Sequence, residues 1–165
     1  MKNIHLYTTT KKDLILGSNN IADFQKKESQ LPEILFITTF PPRECGIATY
    51  SQDLILALNK QFRKSFDIKI AALELQHEKH TYTDDIYAIL ETDNQDSYKE
   101  LAKNINRNSA IEMVLIQHEF GLFRGNEEDF IAFLKAVNKP IIVVCHTVLP
   151  RPDEKLRQHV LDIDP

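Results

Sequence analysis

Three short segments of this chain combine residues equipped for chemistry: PPRECGIA (residues 41–48), HEFGLFRGN (118–126) and HTVLPRP (146–152). Gly46 stands where a helical pattern begins. Free N–H groups at a helix start attract an anion such as a diphosphate, and the missing Cβ lets a ligand approach the backbone. The same glycine serves equally well as the N-cap of a plain tight turn. Arg43 can pair with a phosphate or carboxylate, or remain a solvated loop charge. Pro41 and Pro42 stiffen this loop, which suits a preorganised site as well as a simple turn.

His118 and Glu119 place an imidazole beside a carboxylate, a pairing that can bind sugar hydroxyls or move a proton. The alternative is a structural histidine bonded to nearby backbone. Phe120 and Phe123 then read as core or as a lid contact, with Gly121 and Gly125 giving the loop hinge-like freedom. His146 ends the apolar run IIVVC, where a polar group is costly unless it is partnered. A site residue and a satisfied structural histidine both fit that position. His118, Glu119 and His146 have metal-ligand chemistry, but without H-E-x-x-H spacing or a cysteine cluster no metal is expected. Cys45 and Cys145 read as two free thiols, and His77, His80 and His159, in polar surroundings, as surface residues. The absence of G-x-S-x-G and of a P-loop argues against serine hydrolases and P-loop kinases.

The elements that must position these segments are legible as an alternation. EILFITT (33–39), DIKIAAL (67–73), IYAIL (86–90), EMVLIQ (112–117) and PIIVVCH (140–146) are short β-rich runs of the kind buried in a parallel sheet. Between them, Ile47, Tyr50, Leu54, Leu58 and Phe62 recur at helical spacing, as do Tyr98, Leu101 and Ile105, and Phe130, Phe133, Leu134 and Val137. A last helix is expected over 154–163. Strand–helix alternation implies right-handed crossovers and an α/β, doubly wound, mainly parallel Rossmann-like sheet. With strand order 3-2-1-4-5, the three segments meet beyond the carboxyl ends of neighbouring strands, where open α/β sheets bind ligands. Residues 1–31 are polar and expected to be an extension, leaving 32–165 as the domain.

Bulk properties narrow the class. The chain has 165 residues, is 42% hydrophobic and 27% charged, and carries a formal net charge of -4. That charge offers no basic footprint for nucleic acid or anionic membrane. No apolar run reaches the roughly 20 residues of a bilayer span, and the N-terminus lacks the apolar core of a signal peptide. Two cysteines are too few for a disulfide framework, so a reduced cytoplasmic setting is expected.

Taken together and in this order, ILFITTFPPRECGIATYSQDL, VLIQHEFGLFRG and PIIVVCHTVLPRP resemble the N-terminal half of the retaining glycosyltransferases of family four. The resemblance spans roughly residues 32–165. It implies two Rossmann-like domains facing each other across a cleft, a nucleotide-sugar donor, a hydroxyl-bearing acceptor and no further cofactor. By the same resemblance, Arg43, Glu44, Gly46 and Ile47 lie against the donor phosphates and the acceptor. His146 contacts the transferred sugar near the reaction centre, and His118 and Glu119 lie on the acceptor side. The chain departs from the family in having Gly46 where paired glycines are usual. It also contains no donor-binding C-terminal domain with the acidic E-x7-E signature, so this chain alone is expected to be inactive. Two rival readings are another nucleotide-sugar enzyme, such as an epimerase, and a non-catalytic interaction module on the same sheet.

Overall fold

The computed structural model describes residues 31–62, 65–83 and 86–147, together with positions 154, 157, 158 and 161. All of these belong to one compact unit, which begins at Leu31. The extension expected over 1–31 therefore falls outside them, save Leu31. Of the helix expected over 154–163, the four described positions have helical backbone.

Five strands form one all-parallel sheet in the order β3-β2-β1-β4-β5. They are β1 (Glu33–Thr38), β2 (Asp67–Glu74), β3 (Ala88–Glu91), β4 (Ile111–His118) and β5 (Ile141–Cys145). Helix α1 (Gly46–Gln61) connects β1 to β2, α2 (Gln95–Arg107) connects β3 to β4, and α3 (Glu127–Ala136) connects β4 to β5. The fold is therefore the expected α/β, Rossmann-like one. Its strand order brings the ends of β1, β4 and β5 side by side.

Right-handed crossovers decide which helix covers which face. The step back from β3 to β4 and the step on to β5 put α2 and α3 on one side. There Leu35, Ile37, Leu73, Leu90, Val114 and Ile116 from the sheet pack with Tyr98, Leu101, Ile105, Phe130 and Phe133. Full burial of aliphatic and aromatic side chains contributes roughly 1.5–3 kcal/mol each, so this face supplies most of the stability. The opposite face carries α1, with Phe36, Phe40, Ile55 and Ile70 as its smaller core.

Two expectations need correcting. The buried residues of α1 are Ala48, Ser51 and Ile55, with Leu54 and Leu58 packed against the core only in part. Tyr50 and Phe62, counted on the apolar stripe, are each 47% exposed. Small residues at 48 and 51 let the helix start lie close to the sheet, which turns the larger side chains outward. In addition, β5 is not a buried strand: it is the last strand in the sheet order, and Ile142 is 45% exposed.

Tyr98 joins the larger core to the carboxyl edge. Its ring packs edge-on to Phe133, and its hydroxyl donates to the Thr92 carbonyl at 3.0 Å. Burial first, then the fields of Asp129 and Asp93, push its phenol well above the ordinary tyrosine range. A raised folded-state value means that this stability is complete below about pH 10 and is lost as pH climbs beyond it. Urea unfolding should show stability falling above that pH. Tyr98→Phe should cost about 1 kcal/mol at neutral pH and make the alkaline fall shallower; an unchanged slope would contradict this assignment.

Candidate functional site

The loop after β1 is held by hydroxyls and one thiol. Thr38, Thr39 and Ser51 are fully buried. Thr38 Oγ1 donates to the Thr39 carbonyl at 2.9 Å and lies 2.6 Å from Ser51 Oγ. Because a hydroxyl has one proton to give, Ser51 is the donor in the second contact. This bond fastens the second turn of α1 to the end of β1. The N-cap of α1 is Cys45, in extended backbone, with Sγ accepting from the Ala48 N–H at 3.4 Å and meeting Thr39 Oγ1 at 3.2 Å. Gly46 is therefore the first helical residue rather than the cap.

Tyr50 projects from this first stretch of helix onto His146, ring centroids 5.1 Å apart and edge-on. His146 itself is exposed, just beyond β5. Its backbone N–H donates to the His118 carbonyl at 2.9 Å, which continues the β4–β5 ladder by one residue. Its Nε2 lies 2.6 Å from Oε1 of Gln117, a residue with no exposed surface. One step further, the Thr147 hydroxyl donates to Glu119 Oε2. The segments after β1, β4 and β5 are thus tied into a single rim.

Strand alternation sends His118 the other way. Its ring is 1% exposed, stacked on Phe123 at 5.2 Å and edge-on to Phe120 at 5.0 Å. The imidazole belongs to the α3-side core, while its backbone carbonyl belongs to the rim. Phe123, 1% exposed, is likewise core.

Arg43 pairs with a residue beyond β2. Its guanidinium lies 3.7 Å from Glu78, in the connection after β2. That connection is organised by Glu74, which is 3% exposed. Glu74 Oε1 accepts from the His80 backbone N–H at 3.0 Å and the Tyr82 hydroxyl at 2.8 Å, with His80 Nδ1 at 3.2 Å. Burial and the bond to Glu74 push the Tyr82 phenol upward, with the Arg43 charge opposing. His80, expected on the surface, is therefore a partner of a buried carboxylate, whereas His77 is exposed; His159 lies outside the described residues.

The structure thus brings His146 together with Tyr50 of α1, Gln117 and the His118 backbone, and Glu119 together with Thr147, while Arg43 pairs with Glu78 beyond β2. Glu44 is exposed beside the cap. Gln117, Tyr50 and Thr147 are rim residues that sequence reasoning passed over. Tyr50 was hidden by its helical spacing, and Gln117 by its place inside an apolar run, although a lone amide closing such a run was the available signal. Cys45 and Cys145 are both free thiols. Among the described residues no group of three or more His, Cys, Asp or Glu is arranged to hold a metal ion, and no helix is long and apolar enough to cross a membrane. No protein-family model, curated protein or solved structure matched the chain.

Gly46 offers a clean separation of fold from function. A Cβ built there meets no atom within 4 Å, and the residue is helical. Gly46→Ala should therefore stabilise the chain by about 0.4–1 kcal/mol through the unfolded state. If the open space exists for a ligand, thermal melts will show a gain while ligand binding falls. A variant that gains stability and keeps full binding would show Gly46 to be dispensable to the site.

Proposed function

We propose that residues 32–165 form the acceptor-side domain of a retaining glycosyltransferase of the family-four type. Such an enzyme moves a sugar from a nucleotide donor to a hydroxyl of an acceptor. The observation that carries this reading is the exposed His146, held at the junction of three loops by Tyr50, Gln117 and the His118 carbonyl. This junction lies at the carboxyl edge where the strand order reverses, the usual ligand position of an open α/β sheet. The order and spacing of the three motifs support the same reading.

In this reading, His146 faces the sugar being transferred, and the Glu119–Thr147 pair shapes the acceptor side. The start of α1, with Gly46 and Ile47, faces the diphosphate. The donor-binding domain lies across the cleft. Rate would come from orienting donor and acceptor and from stabilising the departing diphosphate; no protein nucleophile is required. The Arg43–Glu78 pair favours a second reading, a non-catalytic interaction module, because it occupies the cation that a phosphate would use.

Transfer assays decide between the two, using the domain together with its donor-binding domain and a panel of nucleotide sugars. The wild type should transfer sugar. His146→Ala should lower kcat/KM per folded molecule roughly 100-fold, or about 3 kcal/mol, alongside a modest loss of stability from the unpaired Gln117 amide. Normal turnover per folded molecule would remove His146 from the chemistry, and absence of transfer by the wild type would favour the interaction module.

A further inference from the structure

Gln117 is an expensive choice for its place. It lies on β4 between β1 and β5, has no exposed surface, and its Nε2 has no hydrogen-bond partner among the described residues. A leucine or methionine would fill the position without an unmet donor, and buried polar groups left unpaired are rare enough to need a reason. Among the described residues, the side-chain bond that Gln117 makes is with His146, from Oε1 to Nε2 at 2.6 Å.

That bond fixes more than a position. A carbonyl oxygen can only accept, so the Nε2 it faces must carry the proton. In the neutral imidazole, Nδ1 is then left with a lone pair and no proton. An exposed histidine without such a partner exchanges between both tautomers. Tyr50, edge-on to the ring, limits its rotation from the α1 side, and the His118 carbonyl holds its backbone. Another ionisable group at this corner is Glu119, whose carboxylate receives the Thr147 hydroxyl.

We propose that Gln117 is a positioning residue that locks His146 as an Nε2–H donor to the protein and an Nδ1 acceptor to the ligand. The ligand group opposite Nδ1 is then a hydrogen-bond donor, such as a hydroxyl, and not a deprotonated phosphate oxygen. The tautomer lock stands on the geometry alone; that the hydroxyl belongs to a sugar rests on the transferase reading.

Nitrogen-15 NMR of the ligand-free 165-residue chain tests the lock, with His146 assigned by loss of its signals in His146→Gln. The wild type should show one tautomer at neutral to mildly alkaline pH, with a pyridine-like Nδ1 and a pyrrole-like Nε2. Gln117→Leu should shift both nitrogens toward the averaged values of a free imidazole. Its melting temperature should stay within about 3 °C of wild type, because an unmet donor leaves with the amide. Should Gln117→Leu fold poorly, Gln117→Met carries the same expectation with a more adaptable side chain. Inorganic phosphate at neutral pH should leave the His146 signals in place. A pyrrole-like Nδ1 in the wild type, averaged tautomers already present there, signals unaltered by Gln117→Leu or Gln117→Met, or conversion to imidazolium by phosphate would each overturn the proposal. None of these readings depends on sugar transfer, so the lock can survive failure of the transferase reading, and the reverse.

Discussion

A strand in the middle of a parallel sheet has two faces, and each must meet something. β4 lies between β1 and β5, with Leu115 opposite Phe36 on one side and Ile142 on the other. Because side chains alternate, that register decides the fate of every polar group at the strand end. Gln117 goes to the α1 side with His146, and His118 goes to the α3 side among phenylalanines. A slip of one residue would put an amide into the aromatic stack and an imidazole beside another imidazole. The hydrophobic pattern of β4 thus serves as the positioning device for the rim, because Val114 and Ile116 cannot leave their core without exchanging the two polar residues as well.

The carboxyl edge is divided into two polar territories with different physics. Beyond β2, one oxygen of a buried carboxylate, Oε1 of Glu74, collects the His80 and Tyr82 side chains and a backbone N–H. Arg43 belongs to this side through Glu78. Such partly exposed pairs contribute little to stability, about 0–1 kcal/mol. Beyond β4 and β5, the exposed imidazole of His146 remains turned to solvent on one side. The first territory builds a loop, and the second leaves chemistry accessible.

The architecture was largely legible because strand runs and helical spacings are set by burial, a property each residue carries with it. EMVLIQ and PIIVVCH marked β4 and β5 within a residue or two. What sequence alone obscured were the consequences of juxtaposition. Tyr50 shares its helical spacing with true core residues, and only the close seating of Ala48 and Ser51 shows that it turns outward. The burial of His118 depends on Phe123 and Phe130 arriving from later elements. The strand IIVVC looks fully buried in isolation, yet its place at the margin of the sheet leaves Ile142 in solvent. The partners of Glu74 were concealed in a stretch of mixed polar residues whose bonding no periodicity reports.

A thiol caps α1, and this makes the rim chemically adjustable at one atom. The Cys45 sulfur is a large, weak acceptor that reaches the Ala48 N–H and Thr39 together. Any reagent that alkylates it removes the acceptor and adds bulk at the turn from which Tyr50 extends. Cys145, one residue before His146, is the more exposed of the two thiols. A maleimide or spin label meant for Cys145 therefore reports faithfully only when Cys45 has first been replaced by serine, whose oxygen can take over the cap. Otherwise the label loosens the helix start whose motion it was attached to follow.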